Sequence, residues 1–474
     1  MTGTDPETNT HVSPKVTLIL VSLVQFMVPF LMSAVGIALP AIGRDLGASA
    51  VQLSLVQTAQ ILGIGIFLLP AGRFADIHGR KRIFISGAVL LCCATLIVGT
   101  VGHIKLFIGL RFVQGIGAAM IFSTSLAILT AIFPPARRGR ALGIVVCMVY
   151  LGMAAGPVVS GFIIHYLSWR WVFFFISGIM LITLILSTTG LKGEWFSGRG
   201  EPFDWVGSAV YMASLFMTIY GAAGLYHFYW ARWLALAGVS GMIVFVVLQR
   251  RSAYPILDIH LLISNLPFTF ANMATFINYA AAFSCIFFFS LYLQYIKGLP
   301  PQHAGMLLII QPLVQATLAP VAGRLSDSYP PERIATIGMA FCTAGLIAAS
   351  TINSDSSLFS IIIITVLFGI SLGLFSTPNT TAIMSMVEPR HLGTASSMIG
   401  TMRTTGVLAG TTIIAMIFSM YMGNQQVTQA NTGVFLQSQQ TSFYIFSAMS
   451  LVGTLFSMAK GKLATSISSR PGKN

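Results

Sequence analysis

LPAGRFADIHGRKRI, residues 69–83, joins two long apolar segments and is dense in charge, whereas the chain carries little charge elsewhere. A weaker copy, PVAGRLSDSYPPER, occupies residues 320–333, where a glycine, an arginine and an aspartate recur at the same spacing 251 positions later. Each copy lies between apolar runs long enough to cross a membrane. A charged hairpin repeated half a chain apart predicts a membrane protein built by duplication, which is typical of transporters.

The composition also indicates an integral membrane protein. Hydrophobic residues make up 55% of the 474 residues and charged residues 8%, against roughly a quarter charged in soluble domains. The net charge of +14 does not indicate a nucleic-acid partner, because the basic residues are scattered between apolar runs and form no stripe. The cysteines all lie inside apolar runs and predict neither disulfides nor a metal site; they are Cys92, Cys93, Cys147, Cys285 and Cys342.

Hydropathy divides the chain into fourteen runs of spanning length, which predicts an all-α polytopic protein in a lipid bilayer. The runs lie near residues 16–40, 51–72, 83–102, 106–132, 141–165, 171–191, 205–225, 232–249, 267–296, 303–323, 334–352, 357–380, 395–421 and 441–459. With a cytoplasmic N-terminus, 19 of the 26 Lys and Arg residues lie on the inner side, five lie outside and two lie within helices. This bias predicts an inner-membrane protein with both termini in the cytoplasm.

An internal repeat extends beyond the hairpins. Gly152 and Gly156 align with Gly406 and Gly410, 254 positions later. We therefore expect two related six-helix bundles with two helices inserted between them, and a substrate site between the bundles near the bilayer midplane. The predicted divisions are an N-terminal segment (1–15), a first bundle (16–191), inserted helices 7 and 8 (192–266), a second bundle (267–459) and a tail (460–474).

Four motifs resemble signatures of the major facilitator superfamily. GRFADIHGRKR, residues 72–82, resembles the signature between helices 2 and 3, and RFVQGIG, residues 111–117, resembles the RxxQGxG motif of helix 4. GMAAGP, residues 152–157, is similar to the antiporter motif of helix 5, and GIALP, residues 36–40, is similar to the end of helix 1 in drug–proton antiporters. With fourteen helices, the chain resembles the larger branch of those antiporters, which implies the major facilitator fold.

The resemblance implies that the hairpin latches one state of a transporter that works by alternating access. Asp76 can cap a helix or pair with a nearby arginine, because an anion is favoured at a helix N-terminus. Topogenic charge accounts for Arg80, Lys81 and Arg82, but not for an acid in the same turn, so Asp76 is the strongest latch candidate. The full set of candidate latch residues is Gly72, Arg73, Asp76, Gly79, Arg80, Gly323, Arg324 and Asp327.

Two arginines lie inside helices. A charge at mid-membrane costs about 2.5–3.5 kcal/mol on insertion scales, so Arg111 is expected to face a cavity or a partner. Because Gln114 lies one turn away on the same face, a proton relay or substrate contact is favoured over a structural arginine bonded to backbone carbonyls. For Arg403 both interpretations remain open. The candidate residues for proton coupling or substrate contact are Arg111, Gln114, Arg403 and Asp45.

The remaining candidates concern packing and the cavity. Gly152, Gly156, Pro157 and Gly161 let another helix approach closely, and the resemblance implies that this packing seals an exporter against leak. Polar and aromatic residues are expected to line a cavity for amphiphiles, although ordinary helix packing better explains any one of them. They are Gln25, Phe26, Gln57, Gln60, Tyr150, Asn272, Phe276, Asn278, Tyr279, Gln311 and Gln315, and the apolar Leu31 is a further candidate for the cavity lining.

One departure from the family pattern concerns coupling. Relatives carry an aspartate in helix 1 where this chain has Leu31, and the asparagine of the motif is here Gly36. All twelve acids map to termini, loops or helix ends, so no carboxylate is expected at mid-membrane as a proton carrier. Proton coupling is therefore expected to be loose, at Asp45, Asp76, a histidine or the substrate. Fixed positive charge predicts neutral, zwitterionic or anionic substrates over dications.

The sequence thus predicts a monomeric secondary active exporter of amphiphilic small molecules, linked to the proton gradient. It predicts no cofactor, no metal and no enzymatic activity. Within transport, the alternative is a facilitator or an exporter of anionic or lipid-like substrates. From other classes, the alternatives are a non-transporting receptor and a membrane-embedded enzyme, although the sequence shows no catalytic cluster.

Overall fold

The computed structural model describes residues 13–133, 135–191, 193–225, 229–257, 259–387, 392–423, 427 and 431–468, and every regular element in this part of the chain is helical. Fourteen helices are long and apolar enough to cross a membrane, which confirms the predicted number. In chain order they are α1 (Pro14–Asp45), α2 (Ala50–His78), α3 (Arg80–Val98), α4 (Ile104–Ile132), α5 (Pro135–Tyr166), α6 (Trp169–Gly190), α7 (Trp205–Ala223), α8 (Tyr229–Arg251), α9 (Leu266–Leu291), α10 (Pro301–Leu308 and Ile310–Ser328), α11 (Pro331–Ser350), α12 (Leu358–Ser385), α13 (Leu392–Tyr421) and α14 (Thr432–Ser468). A π-helical turn, Tyr292–Ile296, extends α9.

Helices begin and end where the sequence supplies the required backbone groups. At the start of α2, the Gln52 amide donates to Ser49 Oγ at 3.3 Å and the Ser49 amide donates to Gln52 Oε1 at 2.9 Å, which is a capping box. At the start of α7, Asp204 Oδ1 accepts from the Gly207 amide at 2.8 Å. Gly79 separates α2 from α3 with a φ of 114°, in a region that favours glycine.

The inserted helices α7 and α8 form a close pair. If a larger residue replaced Gly238 of α8, its Cβ would lie only 2.3 Å from a backbone nitrogen of α7. Glycine therefore permits the close approach of the two helices. Gln249 Nε2 of α8 donates to Asp204 Oδ2 at 2.7 Å and joins the ends of the pair. The Tyr211 hydroxyl donates to the Gly65 carbonyl oxygen at 2.8 Å, which fixes α7 against α2. The inserted pair is therefore attached to the main body through α7.

The two halves of the chain repeat one helix contact. A Cβ at Gly152 of α5 would lie 2.3 Å from the Phe26 carbonyl oxygen of α1. A Cβ at Gly406 of α13 would lie 2.3 Å from the Phe276 carbonyl oxygen of α9. Because only glycine allows backbones to approach this closely, the aligned glycines occupy equivalent contacts in the two halves. The residue boundaries of the predicted divisions remain a prediction.

The last helix is longer than predicted. The apolar run near 441–459 lies within α14, which begins at Thr432 and continues through residue 468, into the predicted tail. Gln439, before the apolar run, is fully buried. The ring of Phe435 lies 6.2 Å from a phenylalanine ring of α13. The hydropathy average did not indicate a helix over residues 432–440, because amide and hydroxyl side chains lower the average. These side chains can still be buried when the helix packs against other helices of the protein.

The two ends of the molecule differ in their polar residues. The end where α2 meets α3, with Arg73 and Arg80, is called the hairpin side. The opposite end, where α1 finishes at Asp45 near Tyr295, is called the far side. The acids within the described residues lie near helix ends or in connections, so the middle of the described helices holds no carboxylate.

Candidate functional site

Asp76 and Arg80 form an ion pair on the hairpin side. Arg80 Nε donates to Asp76 Oδ1 at 2.8 Å, its Nη1 donates to the Ala127 carbonyl oxygen at 3.2 Å, and its Nη2 donates to Ser197 Oγ at 2.7 Å. All three guanidinium nitrogens thus have acceptors in the protein. Arg80 joins the hairpin to α4 and to the connection after α6, which is more than a purely topogenic charge would require.

The connection between α6 and α7 binds the backbone of the hairpin. The amides of Ser197 and Gly198 both donate to the Asp76 carbonyl oxygen at 3.1 Å. The Arg80 amide donates to the Trp195 carbonyl oxygen at 3.0 Å. These bonds satisfy polar groups that the end of α2 and the start of α3 leave without helical partners.

Two acids of the same connection bind the basic groups of the hairpin. Arg73 pairs with Glu201. Glu194 accepts from the Lys81 amide at 2.7 Å and lies 3.6 Å from Arg82 Nε. A Cβ on the glycine between α2 and α3 would lie 2.6 Å from the Glu194 carboxyl carbon, so glycine makes room for this acid. The sequence interpretation omitted both glutamates, whose signal is an acidic connection following a basic hairpin.

The weaker hairpin copy lies where α10 meets α11. A Cβ at Gly323 would meet a side chain of α12 at 3.6 Å, and one at Gly72 would meet a side chain of α4 at 3.4 Å, so both positions have ordinary contacts. Arg324 is exposed. The side chain of Asp327 lies outside the described residues. A latch formed by this copy stays a prediction.

Arg111 is enclosed within the first half, between α2, α3 and α4. Arg111 has no exposed surface. Its Nη1 donates to Gln114 Oε1 at 2.7 Å, and its Nη2 donates to Gln60 Oε1. Its Nε donates to the Val56 carbonyl oxygen at 3.3 Å. Gln114 in turn donates to Thr95 Oγ1 at 3.0 Å. The guanidinium therefore has three neutral oxygen acceptors. This geometry fits the structural interpretation of Arg111, and a substrate could contact it only if these helices separated.

Asp45 is held at the far side by the start of α6. Its Oδ2 accepts from Arg170 Nη1 at 2.6 Å and from Trp169 Nε1 at 3.1 Å. The Arg170 guanidinium also lies 4.3 Å from the centroid of the Trp169 ring. The carboxylate of Asp45 is therefore already engaged by an ion pair and an indole N–H.

The glycines of α5 face two different helices. A Cβ at Gly156 would lie 2.0 Å from Ser33 Oγ of α1. A Cβ at Gly161 would lie 2.7 Å from a backbone oxygen at the start of α10, and the Pro157 carbonyl oxygen would lie 2.2 Å from a Cβ at Gly305. The motif thus packs α5 against its own half and, on the far side, against the second half.

The GIALP motif connects α1 to α9 on the far side. Pro40 has no amide hydrogen, so the Gly36 carbonyl oxygen four residues earlier lacks its helical donor. The Ser290 hydroxyl of α9 donates to that oxygen at 2.5 Å. The Tyr295 hydroxyl donates to the Pro40 carbonyl oxygen at 3.2 Å. A proline in one half therefore creates an acceptor for a side chain of the other half.

Side chains from both halves converge midway along the helices. The hydroxyls of Tyr150 (α5) and Tyr279 (α9) contact Ser376 Oγ (α12) at 3.4 and 3.2 Å. The Arg403 guanidinium (α13) lies 4.9 Å from the centroid of the Tyr279 ring and is also a neighbour of Tyr150. Gln315 (α10) lies beside Tyr150. These five residues are called the central cluster.

Exposure distinguishes the arginine of the central cluster. Arg403 is exposed although it belongs to the spanning segment Met398–Tyr421. Tyr150 and Tyr279 are half-buried, and they belong to different halves. The exposed guanidinium therefore lies next to a contact between the halves, the one that Tyr150 makes with Ser376. Ser376 was missing from the sequence-based candidates, because a serine within an apolar helix is a weak signal.

The other predicted cavity residues divide by burial. Phe26 and Phe276 are half-buried at equivalent places in α1 and α9. Leu31 has no exposed surface, so it lines no open space in this structure. The buried polar candidates outside the central cluster are Gln25, Gln57, Gln60, Asn272, Asn278 and Gln311. Among the described residues, several of their amide oxygens are buried without a hydrogen-bond partner, as is that of Gln315 in the central cluster; they belong to Gln25, Gln57, Asn272, Asn278 and Gln311.

The chain is similar to known transporters along most of its length. The model of the Major Facilitator Superfamily matches residues 21–261 and 271–471. The chain is 27% identical over 456 residues to the riboflavin transporter RibZ of Clostridioides difficile, covering 94% of this chain and 98% of that protein. It is 25% identical over 445 residues to the multidrug efflux pump LfrA of Mycolicibacterium smegmatis, covering 92% and 88%. In fold it resembles a bacterial homologue of the human lysosomal transporter Spinster in an inward-facing, unoccupied conformation, with a TM-score of 0.70, 14% identity, and coverage of 98% and 100%.

Proposed function

The chain belongs to the Major Facilitator Superfamily, and on that premise we propose that it exports amphiphilic small molecules by alternating access. The central cluster carries the proposal, because it joins residues of both halves near the middle of the spanning helices. Aromatic rings together with a few polar groups suit an amphiphilic ligand. The similarity to a multidrug efflux pump and to a riboflavin transporter supports a small-molecule substrate with an apolar part.

The contacts between the halves support an alternating mechanism. On the far side, the bonds that Ser290 and Tyr295 donate to α1 are bonds between uncharged groups, each worth about 0.5–1.5 kcal/mol. Contacts of this strength can break when the halves separate and form again when they close. We place the far side outside the cell, because the hairpin side carries most of the basic residues and both termini would then be cytoplasmic.

Coupling to protons is proposed to be loose. Two of the described acids at the ends of spanning helices are engaged in ion pairs: Asp45 with Arg170 and Asp76 with Arg80. The central cluster contains no carboxylate. These observations favour the alternative of a facilitator, or an exporter of anionic or lipid-like substrates, without a buried carboxylate as proton carrier.

Flux in proteoliposomes tests the proposal. A panel of fluorescent amphiphiles that includes riboflavin would be loaded and its release followed, with and without a pH gradient. We expect release of at least one compound above that from empty liposomes, and little additional release from the gradient. A Tyr279→Ala variant that melts like the parent should lose this release. If no compound moves in the folded parent protein, the receptor alternative replaces the proposal.

A further inference from the structure

We propose that the central cluster receives the anionic group of an aromatic amphiphile, such as a carboxylate or a sulfonate. Arg403 supplies the charge, and the hydroxyls of Tyr150, Tyr279 and Ser376 supply hydrogen bonds. This inference rests on the proposed transport function and adds the chemical class of its substrate.

The charge of Arg403 is available to a ligand. The side chain is exposed, and the described acids lie near helix ends or in connections, away from the middle of α13. The Tyr279 ring covers one face of the guanidinium at 4.9 Å, and an aromatic ring neutralises no charge. An anionic ligand is therefore the counterion that this position lacks. Its attraction is stronger between helices than in water, because the local dielectric constant is lower.

The packing of α13 against α9 explains how the arginine comes to lie there. Gly406, one turn after Arg403, allows α13 to approach within contact distance of the Phe276 carbonyl oxygen. Tyr279 lies one turn after Phe276 on the same helix. Close packing at the glycine thus brings the guanidinium over the tyrosine ring and holds it at the surface between the halves.

The hydroxyls of the cluster leave one hydrogen-bond donor free. Tyr150, Tyr279 and Ser376 carry three hydroxyl hydrogens, and the two contacts to Ser376 Oγ use two of them. The third can be donated to an anionic oxygen of a ligand. Gln315 is 3% exposed, and its Oε1 has no partner among the described residues. That oxygen can accept from an N–H or O–H group next to the anionic group.

Arg111 cannot take this part in the present arrangement. It is fully buried, and its three nitrogens are bonded to neutral oxygens of its own half. Of Arg111 and Arg403, only Arg403 has exposed surface through which its charge can reach a ligand. The structure thus assigns the preference for anionic substrates to the second half of the chain.

A matched pair of probes tests this inference. The anion 8-anilinonaphthalene-1-sulfonate and its uncharged parent N-phenyl-1-naphthylamine share a ring system and an N–H group, and they differ in the sulfonate. Binding of both to the full chain in nanodiscs would be measured by fluorescence, with empty nanodiscs subtracted. We expect Arg403→Gln to weaken binding of the sulfonate about tenfold and to leave binding of the uncharged probe unchanged. Arg403→Lys should restore most of the loss.

Two controls keep the outcome decisive. Arg232→Gln removes an exposed charge from α8, far from the cluster, and should change neither affinity. Tyr279→Phe removes one hydroxyl and should also weaken binding of the sulfonate, which gives an independent variant if Arg403→Gln melts early. Equal sulfonate affinity in the parent and in folded Arg403→Gln would overturn the inference while leaving transport of uncharged compounds intact. Absence of all transport, with sulfonate binding retained, would overturn the proposed function instead.

Discussion

Arg111 and Arg403 are the same residue type, each within a spanning helix, yet their surroundings differ. Arg111 is enclosed by α2, α3 and α4, and each nitrogen of its guanidinium has an oxygen acceptor. Arg403 lies at an exposed surface, over a tyrosine ring and beside a second tyrosine from the other half. The contacts of the first arginine fit a structural role within one bundle, and the second is the arginine that we propose binds a ligand between the bundles.

The difference comes from the neighbours that each helix provides. Gln60 and Gln114 place two amide oxygens beside Arg111, so its charge is satisfied by the bundle itself. Arg403 has aromatic and hydroxyl neighbours, which solvate a cation less completely than amide oxygens do. Whether a charge within a spanning helix is structural or functional therefore depends on the acceptors near it, and its depth in the membrane alone does not decide.

The largest expected effect comes from the closest glycine contacts between spanning helices. Gly156→Leu places a side chain where Ser33 Oγ is only 2.0 Å from the Cβ position, and Gly410→Leu does the same against a backbone oxygen of α9 at 2.2 Å. Both variants should lose most folded protein in detergent, measured by size-exclusion chromatography. Gly400→Leu, with no atom within 4 Å of its Cβ position, is the control. Normal folding of Gly156→Leu would refute the close packing of α1 and α5.

The next effect separates the arginines directly. Arg111→Gln removes donors from the buried oxygens of Gln60, Gln114 and Val56. Each oxygen left without a hydrogen-bond partner lowers the free energy of unfolding by about 1–3 kcal/mol. Its melting temperature should fall clearly below that of the parent. Arg403→Gln should melt within a few degrees of the parent. Equal destabilisation of the two variants would remove the distinction between a structural and a ligand-facing arginine.

A smaller effect is expected at the hairpin. Asp76→Asn weakens the ion pair with Arg80 but keeps the backbone bonds from Ser197 and Gly198, so expression and melting should stay normal. Turnover should fall severalfold if the ion pair stabilises one state of the transport cycle. Glu332→Gln, at the start of α11, is the matched change of an acid outside the hairpin. Full turnover in Asp76→Asn would reduce the hairpin to a determinant of topology.

The smallest effect is expected on the far side. Ser290→Ala removes the donor to the Gly36 carbonyl oxygen, worth about 0.5–1.5 kcal/mol. The far side should then open more often, which spin labels on the ends of α1 and α9 would register as a longer average distance. Ser284→Ala, whose hydroxyl bonds within its own helix, should leave that distance unchanged. The same distance in both variants would exclude this bond as a closing contact.

Much of the fold followed from the sequence, because apolar runs and aligned glycines report directly on spanning length and helix packing. The helix count and the equivalence of Gly152 and Gly406 were both readable in this way. Hydropathy failed at the start of α14, where polar side chains pack against protein. The roles of Arg111 and Arg403 could not be ranked, because the difference lies in acceptors that distant helices supply. The sequence did not indicate Glu194 and Glu201 as partners of the hairpin for the same reason, since the residues that they bind lie more than a hundred positions away.

Cysteine labelling measures the exposure of the two arginine positions most directly. In a background without the native cysteines, Arg111→Cys and Arg403→Cys would be exposed to the water-soluble anionic reagent methanethiosulfonate ethylsulfonate. Gln114→Cys, which retains the arginine, serves as a second probe of the enclosed site. We predict fast labelling at position 403, and protection at positions 111 and 114 until the protein is denatured. Labelling of position 114 in folded protein as fast as position 403 would contradict the assignment of a sealed and an exposed arginine.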